Sequence, residues 1–173
     1  MATLDEFPEV IERARYGFRG TDRGFYALRL KGAELAGENG FYKASEKSLT
    51  FFSLSPVVAL GYALTAGEKA EKQKDSFERW GVKSYGPIVQ LIDLKNYKNR
   101  IRPGCEWGNL FEGEVVGDIN VSDIKIMGEQ DVDNLEVYLR EMNSERFLLS
   151  SSERFLENIK KYYRRNGDSL FRN

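Results

Sequence analysis

Leu49-Thr-Phe-Phe-Ser-Leu-Ser55, closed by Pro56, is the stretch whose reading decides the fold. It is short, aromatic-rich and stopped by proline, which predicts a buried strand. Extended alternation puts Phe51, Ser53 and Ser55 on one face. Two hydroxyls on a buried apolar face need partners, whereas on a face open to water they need none. Outward from this stretch, Tyr16-Gly-Phe-Arg-Gly20, Gly86 to Leu94 and Phe111 to Val116 read as further strands, and Asp118 to Met127 as one more. Thr3 and Glu6 at capping-box spacing, with Phe7, Val10, Ile11 and Ala14 at helical period, predict a helix from Leu4 to Ala14. Val57 to Trp80 reads as mainly helical, Phe25 to Leu35 fits helix or strand, and 37–40 is a turn. Asp133 to Met142 and Glu153 to Arg165 read as closing helices. Strands gathered in the middle, with helices outside and few strand–helix–strand alternations, favour α+β over a doubly wound sheet. No linker divides the sequence, so residues 1–173 are expected to form a single domain.

Composition narrows the chemistry. The chain has 173 residues, 26 basic and 27 acidic, with one cysteine and no histidine. That length can bury a core without disulfide or metal staples. A Ser-His-Asp or Cys-His hydrolase and a histidine-ligated metal centre are excluded, and Cys105 alone cannot form an internal disulfide or a thiolate cluster. No metal is therefore expected. A net charge of −1 argues against coating nucleic acid or anionic membrane through bulk charge. The start, Met1-Ala-Thr-Leu-Asp-Glu6, lacks the basic and apolar parts of a signal peptide. Leu49 to Leu64, the longest apolar window, is broken by Ser53, Ser55, Pro56 and Gly61, so no membrane partner is expected. The expected location is a reducing cytoplasm, or a target-cell cytoplasm reached by a specialised secretion route.

Three places combine polar groups with an apolar strand. Arg19-Gly20 lies at a strand end, where arginine can grip a phosphate bidentately and glycine lets a ligand approach the backbone. Taken alone, a surface arginine on an edge strand explains it better. Ser53 and Ser55 are the second place. Glu112-Gly-Glu114 is the third: alternation puts both carboxylates on one face, about 7 Å apart. On an exposed face that pair is ordinary. Elsewhere, like charges so close call for a cation, a hydroxyl network or chemistry.

In order and spacing these motifs (aromatic-x-Arg-Gly, Phe-x-Ser-x-Ser, Glu-x-Glu-Val) resemble the arginine–serine–glutamate branch of the mono-ADP-ribosyltransferases, a group with many bacterial toxins. The resemblance runs from Tyr16 to about Ile126 and includes Ala59-Leu-Gly-Tyr-Ala63 and Val115-Val-Gly-Asp-Ile119. It implies an ADP-ribosyltransferase-like fold with a split mixed or antiparallel β-sheet core, and NAD as substrate. Arg19, with Gly20, would bind the NAD phosphates, and Phe51 and Ser55 would belong to the cofactor site. Ser53 would orient Glu114. Glu114 would bind the nicotinamide ribose and stabilise positive charge as nicotinamide leaves, and Glu112 would address the acceptor, commonly an arginine side chain. Tyr62 would stack on nicotinamide or adenine, and Trp107 would contact the target from the loop 102–111. The family usually has threonine where this chain has Leu54, a change expected to affect packing more than catalysis. The branches resembling diphtheria toxin and the poly-ADP-ribose polymerases begin their motif with histidine, which this chain lacks.

The chemistry implied needs no histidine, because nicotinamide is a good leaving group and a carboxylate near the ribose is the main requirement. The implied acceptor is macromolecular, a protein ahead of a nucleic acid. NAD glycohydrolysis is the nearest alternative, and a binding domain without turnover is another. Lys160-Lys-Tyr-Tyr-Arg-Arg165 could grip phosphates and stack on bases, but reads better as the basic end of a helix. The lysine-rich run Lys69 to Lys74 reads as a solvated helix face.

Overall fold

The structure, a computed structural model, describes residues 3–43, 49–82 and 86–127. The two closing helices and the basic cluster 160–165 expected from the sequence lie outside these residues.

The described chain opens with a 3₁₀ turn at Leu4–Glu6 and helix α1, Phe7–Arg13. The Thr3 N–H donates to the Glu6 carboxylate at 3.0 Å, and Pro8 sits in the first turn, where its missing N–H costs nothing. Strand β1, Tyr16–Asp22, follows and runs two residues further than the sequence suggested. Asp22 ends it and starts helix α2, Arg23–Leu35, by accepting the Gly24 N–H at 2.7 Å. The ambiguous segment is thus a helix. The turn after it holds Gly37 and Gly40 at φ of 75° and 87°, values that other residues rarely adopt.

Short strand β2, Phe41–Tyr42, precedes β3, Leu49–Ser53. Helix α3, Pro56–Lys72, starts on proline and is followed by α4, Lys74–Arg79. Strand β4 spans Pro87–Asp93, β5 Ile101–Pro103, helix α5 Trp107–Leu110 and β6 Glu112–Val116. Asp118 to Met127 forms two short strands instead of one, β7 Ile119–Asn120 and β8 Ile124–Ile126. The Asn120 side chain accepts the Ser122 N–H at 3.0 Å and turns the chain between them.

Six strands form one sheet in the order β5-β6-β3-β1-β4-β8, and β2 pairs with β7 separately. Every pair among the described residues is antiparallel, and helices flank the sheet. The architecture is α+β with an antiparallel core. β1 pairs with β4 along its whole length, from Tyr16↔Asp93 to Asp22↔Pro87. With β3 it shares one pair, Phe18↔Ser53, and past that point the two strands part. The ladder between β1 and β3 is split there.

Glycines decide the packing around the split. A Cβ on Gly20 would run into the Ala59 carbonyl and the Ala63 amide, so α3 lies directly on β1. Gly17 and Gly113, on the strands either side of β3, leave the space that the Phe52 ring fills. Phe18, Leu54, Ile92, Leu94 and Val115 are fully buried in the core around them. Leu54 is there a packing residue, in keeping with its expected role.

Candidate functional site

A cavity of about 660 Å³ opens at the split. β1 contributes Arg19 and Thr21, and β3 contributes Phe51 and Ser53. From α2 come Phe25, Leu28, Arg29 and Gly32, and from α3 come Tyr62, Thr65, Ala66 and Lys69. Each set recurs at i, i+3, i+4 and i+7, so each helix turns one face to the cavity. Glu112 on β6 supplies the carboxylate of the lining.

Arg19 is fixed by the split itself. Its guanidinium donates to the Phe51 carbonyl at 2.8 Å, where a continuous ladder would have placed a backbone amide. Its Nε is buried without a hydrogen-bond partner. Gly20 lines the cavity, but the reason for glycine is the crossing of α3, not the approach of a ligand.

Ser53 and Ser55 do not do what the resemblance implied. The register opposes Ser53 to Glu112 and Phe51 to Glu114. The Ser53 hydroxyl donates to the Leu110 carbonyl at 2.6 Å and accepts the Ser55 N–H at 2.9 Å. It therefore shapes the turn from β3 into α3 and does not orient Glu114. Ser55 is fully buried at the start of α3, outside the cavity lining, with its hydroxyl unpartnered.

The two carboxylates have different surroundings. Glu112 faces the cavity, accepts the Glu106 N–H at 3.4 Å and lies 3.8 Å from the Cys105 sulfur. Gly104 packs against its side chain, so a Cβ there would fall 2.8 Å from Glu112 Cγ. Burial pushes the Glu112 carboxyl above the usual glutamate range. The Glu106 amide pulls it back in part, and the neighbouring Glu114 charge raises it further. Glu114 does not line the cavity; Arg102 Nε holds it at 2.8 Å. Gly113, between them, is required by the Phe52 ring and not by a ligand.

Tyr62 is 44% exposed on α3 and lines the cavity. Burial raises its hydroxyl above the usual tyrosine value, and the nearby Glu112 charge adds to this. Trp107 is not a surface contact. It is 1% exposed, packs edge-on to Phe7 at 4.7 Å between ring centroids, and donates its indole N–H to the Thr3 carbonyl at 2.8 Å. An indole beside two other rings, Phe7 and Phe111, gains more from the core than a loop could offer it.

Three cations were missed by the sequence reading: Arg29, Lys43 and Lys69. Lys43 is drawn off by Glu38 at 2.6 Å and Asp118 at 3.3 Å. Lys69 belongs to the run expected as a solvated helix face, yet it stands two turns after Tyr62 on the same side of α3, a spacing already present in the sequence. Arg29 could be placed only once 25–35 was known to be helical.

The lining combines the cations Arg19, Arg29, Lys43 and Lys69 with the Glu112 carboxylate and the Tyr62 ring. It suits a ligand that carries both phosphate and a polar or cationic ring. Among the described residues no group of cysteines and carboxylates is arranged to hold a metal ion, and no helix is long and apolar enough to cross a membrane. Comparison with protein-family models, with curated proteins and with solved structures finds no match.

Proposed function

We propose that the chain is an ADP-ribosyltransferase that takes NAD into the cavity at the β1–β3 split and moves ADP-ribose to a macromolecular acceptor. The observation that carries this reading is the cavity itself: Arg19 and Glu112 line one pocket together with Phe51, Ser53 and Tyr62. Arg19 takes the phosphates and Tyr62 stacks on the nicotinamide or adenine ring. Of the two carboxylates Glu112 is the one facing the pocket, so it takes the ribose-facing role that the resemblance implies for Glu114. Glu114, beside it on the same strand face and held by Arg102, stands on the acceptor side.

In the reaction the bond between ribose C1′ and the nicotinamide nitrogen breaks, and its electron pair leaves with neutral nicotinamide. The Glu112 carboxylate stabilises the oxocarbenium-like ribose, and an acceptor nitrogen, such as that of an arginine side chain, bonds to C1′ and loses its proton. The burial of Trp107 removes the expected target contact and favours a second reading, in which water is the acceptor and the chain is an NAD glycohydrolase.

The test is incubation with NAD labelled in the adenosine half, with and without a cell extract. Nicotinamide release together with labelled macromolecule supports transfer, and release without label supports hydrolysis. NAD left intact under both conditions overturns both readings.

A further inference from the structure

The geometry points to Arg19 and Arg29 as the two arms of a diphosphate clamp, with Lys69 at the mouth of the same cavity. The inference deepens the reading of that cavity given above, on which the role of Arg19 at the phosphates rests. It adds Arg29 and Lys69, and it concerns any ligand with a diphosphate, with or without turnover.

Both guanidiniums line the cavity, one from β1 and one from α2. Each is fixed by one hydrogen bond to a backbone carbonyl: Arg19 to Phe51 at 2.8 Å, Arg29 to Lys43 at 3.0 Å. Arg29 is positioned further by the Tyr42 ring, 5.8 Å beneath it. A carbonyl fixes a cation without neutralising it. Among the described residues neither guanidinium has a carboxylate within ion-pair distance, nor does Lys69. Burial lowers the Arg29 pKa, and the nearby Arg19 charge lowers it further against the partial help of Tyr42 and Asp118. Two like charges held rigid in one half-enclosed space raise the free energy of the fold. A diphosphate relieves that cost, since its two phosphates match two guanidinium forks, each with N–H groups left over from its carbonyl bond.

A purely structural Arg29 would serve only to hold the Lys43 carbonyl and cover Tyr42. The two roles give opposite results in Arg29→Gln. Binding of ADP, inorganic pyrophosphate, NAD and adenosine is measured by calorimetry on the full chain, with the melting temperature of each protein taken without ligand. The clamp predicts a loss of about 10- to 100-fold in affinity for ADP and pyrophosphate. It also predicts unchanged adenosine binding and a melting temperature equal to or above that of the wild type, because a repulsion is removed. Wild-type affinity for ADP and pyrophosphate in Arg29→Gln overturns it. Arg29→Lys and Lys69→Ala serve if Arg29→Gln does not fold: weaker pyrophosphate binding in both supports the clamp, and unchanged binding in both overturns it. Comparing NAD with ADP separates a dinucleotide from a free nucleoside diphosphate. ADP binding that depends on Arg29, without NAD turnover, keeps the clamp and removes the transferase; NAD turnover and binding indifferent to Arg29→Gln do the reverse.

Discussion

Replacing Glu112 by glutamine separates a catalytic carboxylate from a structural one, because the two roles move activity and stability in different directions. Glu112 is 8% exposed and faces the cavity, and burial raises its pKa with Glu114 adding to the shift. A carboxyl whose folded pKa lies above its unfolded value contributes most to stability below the ordinary glutamate range, and that contribution is lost as pH rises through the folded pKa. At neutral pH the ionised side chain is therefore a cost. Glutamine keeps the shape and an acceptor for the Glu106 N–H at 3.4 Å while removing the charge. Glu112→Gln is thus expected to be as stable as wild type or more so at pH 7 in urea denaturation, with a flatter dependence of stability on pH between 4 and 7. In nicotinamide release from NAD it should lose about 3 kcal/mol of transition-state stabilisation, roughly 150-fold in rate. Wild-type activity should fall on acidification, as the carboxyl protonates, with a midpoint above the usual glutamate value. Glu114→Gln breaks an ion pair whose arginine is 57% exposed, worth about 0–1 kcal/mol, and removes no cavity group. It should lower acceptor labelling more than nicotinamide release. If Glu114→Gln abolishes nicotinamide release and Glu112→Gln does not, the assignment of roles from cavity geometry is refuted.

Trp107→Ala should cost about 3–5 kcal/mol, since the indole is buried against Phe7 and Phe111. Trp107→Phe should cost about 1 kcal/mol or more for the unpaired Thr3 carbonyl, and a denaturation midpoint unmoved by Trp107→Ala would contradict the buried placement. Gly20→Ala would drive a methyl into the backbone of α3 and should destabilise by about 1–3 kcal/mol while narrowing the cavity. Gly61→Ala, on the same helix with open space around it, should stabilise by about 0.5–1 kcal/mol, so the pair in one urea series checks the α3 packing. Asp22 accepts the N–H groups of Gly24 and Gly86 at 2.7 and 2.8 Å from full burial. Asp22→Asn turns an amine toward one of them and should lower the unfolding free energy by about 1–3 kcal/mol.

The strands β3, β4 and β6 were legible because each is a short apolar run with clear punctuation: Pro56 after the first, Gly86 and Pro87 before the second, Gly117 after the third. Helix α2 was not legible, and the reason is its position. The face it turns to the cavity carries Arg29 and Gly32 among Phe25 and Leu28, so it shows no continuous apolar stripe. Asp118 to Met127 carried enough apolar residues for one strand, but the Asn120 side chain turns the chain and sends its two halves to different sheets. For the site, alternation correctly put Glu112 and Glu114 on one face and could say nothing of what lay opposite them. Register belongs to the pairing of two strands, and here it sets Ser53 against Glu112. Trp107 was misplaced for a similar reason: its partners Thr3 and Phe7 are about a hundred positions away in sequence.

The split in the sheet explains why structure and candidate chemistry cannot be separated at Arg19. If β1 and β3 stayed paired beyond Phe18↔Ser53, backbone would fill the space that the cavity occupies. Parting them leaves the Phe51 carbonyl without a ladder partner inside the protein, a cost comparable to a lost hydrogen bond. A neutral donor would repair that carbonyl and end there. A guanidinium has five N–H groups, so it can repair the carbonyl with one and still present others to the cavity. Lysine could supply the charge but not the planar fork, and its flexible stem would not stay against the carbonyl unaided. The residue type at position 19 therefore follows from the break in the ladder as well as from any ligand. That is why an arginine unremarkable as a surface residue on an edge strand becomes informative once β1 is seen at the centre of the sheet.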